Sequence, residues 1–211
     1  MTDDDVAGDP GEETWMVLMD PAWRQENEND PPPLHAVVGL WPVAPDGAVG
    51  KFRSNPDYEP SDEQSPTDPL DAVFRLVLRG PGKIGQIQVV LHDVLLDVAL
   101  NGDGRPLIVR APDGLPCVVA TSSVRHQTST SAFDWQRLDL DAILGLLPDD
   151  VDVLFNPGAS ASIRLTGDFL RNTAAMGDEE LVALRATSYD TDDILLSRWH
   201  AAAPERPAPA T

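Results

Sequence analysis

The chain has one cysteine, Cys117, among 211 residues. A lone thiol excludes an internal disulfide and any multi-cysteine zinc site, and it agrees with a reducing, cytoplasmic setting. Positive charge is scarce: 15 Lys and Arg stand against 35 Asp and Glu, a net charge of −20. A surface that acidic repels phosphate backbones, which excludes nucleic acid as a partner and favours a basic protein. Long apolar runs are missing as well. A membrane helix needs roughly 18 apolar residues, and the longest candidate, 84–100, is broken by His92, Asp93 and Asp97. The start carries Asp3, Asp4, Asp5, Asp9, Glu12 and Glu13 with no Lys or Arg before residue 15. That is not the basic-then-apolar pattern of a signal peptide. The expectation is a cytoplasmic protein without direct membrane insertion.

What the chain does have is 42% hydrophobic residues, enough for a buried core, and 20 prolines that break it into short elements. Residues 1–14 read as a disordered acidic tail, 15–173 as one α+β domain, 174–200 as a helical extension and 201–211 as a flexible Ala/Pro tail. WMVLM (15–19) reads as a strand. After a polar insertion (24–33), HAVVGLWPV alternates as a second, with Ala36, Val38 and Leu40 on one face and Val37 and Trp41 on the other. Ala44-Pro45-Asp46-Gly47 is a turn leading to a return strand, AVGKF. The same four residue types recur at Ala111-Pro112-Asp113-Gly114, between RPLIVR and LPCVVAT. Two hairpins of one design are expected.

Helix signals follow. Asp68 as N-cap, Pro69 at the first position and Gly80 beyond the end frame a helix over 69–79. Apolar residues Ile84, Ile87, Leu91, Val94, Leu95 and Val98 predict a second helix over about 84–100, and another starts near Asp139 and stops at Pro148. A strand over 151–155 then reaches Asn156-Pro157-Gly158, and a helix is expected from about Ser160 to Arg171. Residues 179–186 suit two helical turns, and Thr191 is a candidate cap for a further short helix with Ile194, Leu195, Leu196 and Trp199. The fold class is α+β: a mixed sheet built from two hairpins and further strands, with helices packed on it.

The runs AVVGLWPVAPDGAVGKFRSNPDYEPS, SPTDPLDAVFRLVLRG, DGRPLIVRAPDGLPCVVATSSVRH and VDVLFNPGASASIRL resemble the actinobacterial proteins associated with type VII secretion systems. These are similar to the SseB (enhanced serine sensitivity) N-terminal domain. The broader resemblance lies in a hairpin strand ending in a serine-containing turn, then a strand closing in an Asn-Pro-Gly turn, over about 105–171. The narrower one covers roughly 15–173. It implies a cytoplasmic α+β domain linked to a secretion locus, with no catalytic residue to carry over. Tyr189-x-x-x-Asp193 fits the Y-x-x-x-D/E export signal of type VII substrates, and so does Tyr58-x-x-x-Asp62. The W-x-G turn of such substrates is absent, so association with the machinery is expected rather than export.

Several constellations bear on chemistry. Ser160 and Ser162 follow a strand and a glycine-containing turn, but Gly158-Ala-Ser160-Ala-Ser162 lacks the second glycine of G-x-S-x-G. A helix starting there would use a serine as its cap, or hold a small anion with Asn156, Gly158 and Arg164 nearby. His35, His92, His126 and His200 show no metal-ligand spacing, and His92 is expected to face solvent. His126 follows Ser122 and Ser123 closely, without an evident third member of a triad. Asp68 and Asp71 are explained by capping and the helix dipole, and Cys117 by an inert position in an apolar strand. Of the five tryptophans, Trp41 and Trp135 are expected in the core. Trp23 and Trp199 lie in polar surroundings that suit contact with a partner. No catalytic residue, metal or cofactor is assigned. The leading expectation is a non-enzymatic interaction protein whose partner is a secretion-system component or substrate. A small-ligand or peptide sensor built on the helix start at 160–164 comes second, and a serine hydrolase using Ser160 last.

Overall fold

A computed structural model describes residues 14–24, 33–80, 82–188 and 195–200, with side chains considered as far as residue 185. The two expected tails (Thr14 apart), residues 25–32 of the polar insertion, and the Tyr189–Asp193 segment with Thr191 lie outside the described residues.

The first described elements are β1 (Thr14–Met19), β2 (Val37–Val43) and β3 (Arg53–Ser54), then α1 (Pro69–Arg79) and α2 (Ile84–Asp93). Next come β4 (Leu96–Leu100), β5 (Ile108–Arg110), β6 (Pro116–Thr121), α3 (Val124–Gln127), β7 (Asp134–Leu138) and α4 (Leu140–Leu146). The last described elements are β8 (Asp152–Phe155), β9 (Ile163–Leu165), α5 (Gly167–Ala174), α6 (Asp178–Ser188) and β10 (Leu195–His200). The α+β class stands, with the strands divided between two sheets. An antiparallel sheet runs β10-β1-β2-β3; a mixed sheet runs β7-β4-β6-β8-β9, with β5 also paired to β6. The two expected hairpins therefore belong to different sheets.

The turns have the same hydrogen bonds. Gly47 N donates to Ala44 O and Gly114 N to Ala111 O, both at 2.8 Å, with φ of 84° and 85°. Glycine meets that positive φ without the cost a Cβ would carry. The first hairpin is the poorer one: of AVGKF, only Val49 bridges to Val43. Pro42 on β2 has no N–H to give a return strand, and pairing resumes at Gly39↔Ser54. The face assignment of β2 also changes. Leu18 pairs with Gly39 and Met19 with Val37, so one extra residue is accommodated at Val38. Such a bulge reverses the alternation. Val38 and Trp41 face the main core, while Val37 packs with Val17 and Met19 in a smaller cluster that Leu40 also joins.

α1 follows its signals closely: Asp68 accepts from Leu70 N and Asp71 N, and Gly80 ends the helix in the left-handed region. The second helix is shorter than expected, 10 residues in place of the span 84–100. α2 stops at Asp93, and the apolar run 96–100 becomes β4, pairing β6 on one side and β7 on the other. Leu96 through Ala99 are all buried, and a strand covered on both faces loses the alternation that marks it. The third helix is α4, capped by Asp139 through Ala142 N. Trp135 lies half-buried on β7, an edge strand, rather than in the core.

The helix expected from Ser160 does not form. Residues 163–165 are β9, antiparallel to β8, and α5 begins at Gly167 with Thr166 as its cap, accepting from Phe169 N at 3.2 Å. Alternating Ile163 and Leu165 are held by pairing with β8, which outweighs the serine-rich approach as a helix signal. At the C-terminal end α6 occupies its expected place, but Leu195–His200 is a strand, β10, rather than a helix. It pairs with β1, and α6 is tied to α2 by an Arg185–Asp93 ion pair. The main core joins Leu18, Val38 and Trp41 of the first sheet to Leu70, Phe74, Ile87 and Leu91 of α1 and α2. It continues through Leu96, Val118 and Phe155 of the second sheet.

Candidate functional site

β6 and β8 are the parallel pair of the mixed sheet, in register from Cys117↔Asp152 to Ala120↔Phe155. Parallel strands in register finish side by side, so the residues after them, Ser122 and Asn156, become neighbours. Asn156 takes φ 49°, the left-handed conformation asparagine tolerates better than most residues. Its side chain is fully buried: Oδ1 accepts from Ser122 N at 3.0 Å and Nδ2 donates to Ser122 Oγ at 2.9 Å.

The N-terminal end of α1 meets this corner. Ser122 Oγ donates to Asp68 Oδ2 at 2.8 Å, and Thr67 Oγ1 donates to the same oxygen at 2.8 Å. Asp68 Oδ1 takes the two cap bonds from Leu70 N and Asp71 N, each 2.9 Å. His126, buried on the short helix α3, reaches Thr67 Oγ1 with Nε2 at 2.8 Å. The single proton of Thr67 Oγ1 is committed to Asp68, so Nε2 must donate. The chain of donors runs His126, Thr67, Asp68. Burial first, and then the negative charge of Asp71, hold the Asp68 carboxyl above the usual carboxylate range, against the pull of its hydrogen bonds and of His126. Asp71 accepts from Thr67 N at 3.0 Å and Arg75 Nε at 2.8 Å, while its other oxygen is buried without a hydrogen bond.

Chemically, this cluster orders a corner of the fold. A triad would need the imidazole to take the serine proton. Here Ser122 gives its proton to a carboxylate that already has three other donors, and His126 Nε2 carries one. The proline-rich segment 55–69 is fixed nearby by a second buried carboxylate, which the sequence reading missed. Asp20 accepts from Ala22 N, Ser61 N and Ser65 Oγ, each at 2.9 Å, with Tyr58 OH at 3.4 Å. Burial alone would raise the Asp20 carboxyl, but those bonds bring it below the ordinary value. The Tyr58 hydroxyl donates to Pro66 O at 2.7 Å, and burial followed by the Asp20 charge pushes its pKa up. Tyr58-x-x-x-Asp62 is thus part of a folded loop.

Of the residues proposed from sequence for binding, Asn156 alone belongs to this cluster; Ser122, His126, Asp68 and Asp71, set aside there as a triad or an acid/base pair, are the others it brings together. Gly158 (φ 81°) makes the turn after it. Ser160 is exposed and caps nothing, and Ser162 Oγ donates to Phe155 O at 3.2 Å. Arg164 is engaged by Asp152 and, at 2.8 Å, by Asp113. An anion site or nucleophile at 160–164 therefore loses its helix start and its free cation. Trp23 packs half-buried on the Val17–Met19–Val37 cluster, and Trp199 falls on β10 opposite Trp15, its side chain outside those described. His92 does not face solvent freely: its Nε2 donates to Thr173 O at 2.7 Å. Cys117 is buried, and burial raises its thiol pKa. Among the described residues no three His, Cys, Asp or Glu side chains group as metal ligands do, and no helix is long and apolar enough to cross a membrane. The sequence signal for the cluster was present in the serine-ended strand and the Asn-Pro-Gly strand. What was missing was their parallel pairing.

A pocket of about 190 Å3 opens beside the cluster, between the start of α1, the start of α3, the 52–58 segment and β7. Ser122 and Asp68 are part of its polar lining, and Arg125 and Arg137 stand in it as well. In comparisons with known proteins, no family model, curated protein or solved structure matches the chain.

Proposed function

We propose that this is a non-enzymatic interaction protein, an adaptor or accessory factor of a type VII secretion machine. It works in the cytoplasm on a protein partner that is a component or a substrate of that machine. The reading starts from the resemblance of the 15–173 region. The observation that carries it is Phe133. This ring is 80% exposed, although its backbone is pinned by a 3.0 Å bond from its N–H to Leu100 O. It sits at the mouth of β7, whose outer edge pairs with no strand among the described residues. A fixed, exposed aromatic beside an open strand edge suits recognition of another chain. The commitment of the Ser122 proton to Asp68 supports the non-enzymatic half of the reading.

Purified protein should capture a partner from native lysate that can be identified and rebound in pure form, more weakly at high salt because of the acidic surface. Phe133→Ser should weaken rebinding about tenfold, which is about 1.4 kcal/mol. Esterase and phosphatase screens should return no turnover. Hydrolysis by the pure protein that disappears in Ser122→Ala or Ser160→Ala would overturn the reading, as would a partner that ignores the Phe133 change.

A further inference from the structure

We infer that the pocket beside Ser122 is a binding site for a carboxylate carried on a small apolar body, a function separate from the docking edge at Phe133. Charge is the first argument. The protein carries −20 overall, yet the pocket lining holds two arginines, Arg125 and Arg137, and one carboxylate, Asp68. Neither arginine forms an ion pair among the described residues, although acids outnumber bases by 35 to 15. Arg137 lies opposite Asp97 across the β4–β7 ladder, but Asp97 accepts from Gln127 Nε2 instead, at 3.1 Å. Arg125 spends one N–H on Tyr58 O at 3.1 Å. Most of its five donors remain for a ligand.

Asp68 does not cancel this. All its acceptor positions face protein donors, two of them at the N-terminal end of α1, where the helix dipole favours negative charge. Two other polar side chains of the lining are occupied: Asn55 binds the carbonyls of Leu34 and Val37, and Tyr58 OH that of Pro66. What remains for recognition is guanidinium, whose planar fork matches a carboxylate, with the Ser54 and Ser123 hydroxyls as neutral donors beside it. Phe52, Val94 and Leu95 supply apolar wall, which asks for a ligand with a hydrocarbon part rather than a bare ion. A monoanion is favoured over a dianion, because the surrounding field is strongly negative. The carboxylate has two sources, a free small acid or the C-terminus of a peptide, and one experiment separates them.

The probes are isovalerate, inorganic phosphate, and acetyl-Gly-Ser-Leu-Val with a free or an amidated C-terminus, titrated into the full chain with NMR or calorimetric detection. The free-carboxylate peptide or isovalerate should bind, and the amide should bind at least about tenfold more weakly. Arg125→Gln and Arg137→Gln should each cost about tenfold, with melting unchanged in the exposed Arg137→Gln and slightly lowered in Arg125→Gln, which also loses its bond to Tyr58 O. Arg110→Gln, on β5, serves as the control and should cost nothing. A peptide preferred over isovalerate identifies a chain terminus as the ligand; equal or tighter isovalerate identifies a free acid. The inference falls if neither carboxylate binds at about 10 mM, if phosphate binds more tightly than both, or if Arg137→Gln binds as the parent does.

Discussion

The Ser122 hydroxyl donates to Asp68 Oδ2 at 2.8 Å, joining the end of β6 to the first turn of α1 across 54 residues of chain. One side of the bond is a helix cap and the other is the corner of a parallel strand pair, so a single carboxylate registers a helix against a sheet. Ser122→Ala should cost about 1–3 kcal/mol, because it removes the bond to Asp68 and leaves the buried Asn156 Nδ2 without its partner. Asp68→Ala removes the cap as well and strands two hydroxyls, for about 2–4 kcal/mol. The double variant should fall short of the sum by about 0.5 kcal/mol or more. Denaturant unfolding of the four proteins reads the cycle, and strict additivity would show that the bond carries nothing.

Asp20 and Asp68 are both buried carboxylates, but they titrate with opposite signs. Asp20 is held below its ordinary value by donors from Ser61, Ala22 and Ser65, against burial. Its ionised form therefore adds stability above about pH 3.9, the unfolded value, and that stability is lost as pH falls through the folded one. Asp68 is raised, chiefly by burial, so stability is gained as pH falls through its folded value. Asp20→Asn should be destabilised near neutrality by about 1.5–3 kcal/mol, with the gap to the parent closing in acid. Asp68→Asn should instead lose more than the parent on acidification. Urea midpoints at neutral pH and at about pH 3 test both; gaps that ignore pH would mean that neither group titrates as described.

The sequence marked local structure well where one residue type answers one backbone need. Asp68 as a cap, a helix start near Asp139, Gly80 as a stop and the paired Ala-Pro-Asp-Gly turns all stand where expected. It misled where tertiary pairing decided. Apolar spacing over 84–100 suits a helix throughout, but the second half is claimed by β6 and β7 as neighbours. Leu195 and Leu196 likewise have helical company in sequence, and a strand partner in β1. The site was half legible. Asn156 was picked out for its turn, but its link to Ser122 depends on a parallel register that no local spacing encodes.

Gly47 and Gly114 make a matched pair for testing the turns. A Cβ at either position would meet no atom within 4 Å, so a substitution suffers from φ alone. Gly47→Val and Gly114→Val should each lose about 1–3 kcal/mol, by nearly the same amount. Thermal or urea melts of both variants give the comparison. Parent-like stability in both would mean that the turns relax to negative φ at no cost.

The last expectation concerns where the helix after β8 begins. A serine cap at 160 would make Ser160→Ala cost about 0.5–2 kcal/mol. Ser160 is exposed and bonded to no helix, so the change should stay within about 0.5 kcal/mol of the parent. The cap is Thr166, whose Oγ1 accepts from Phe169 N at 3.2 Å, and Thr166→Ala should carry the 0.5–2 kcal/mol instead, again an approximate range. Thr166→Ser keeps the acceptor and should restore most of the loss, which separates capping from packing of the threonine methyl. Urea unfolding of the three variants decides it. A costly Ser160→Ala beside a neutral Thr166→Ala would return the helix start to Ser160, and with it the case for an anion site at 160–164.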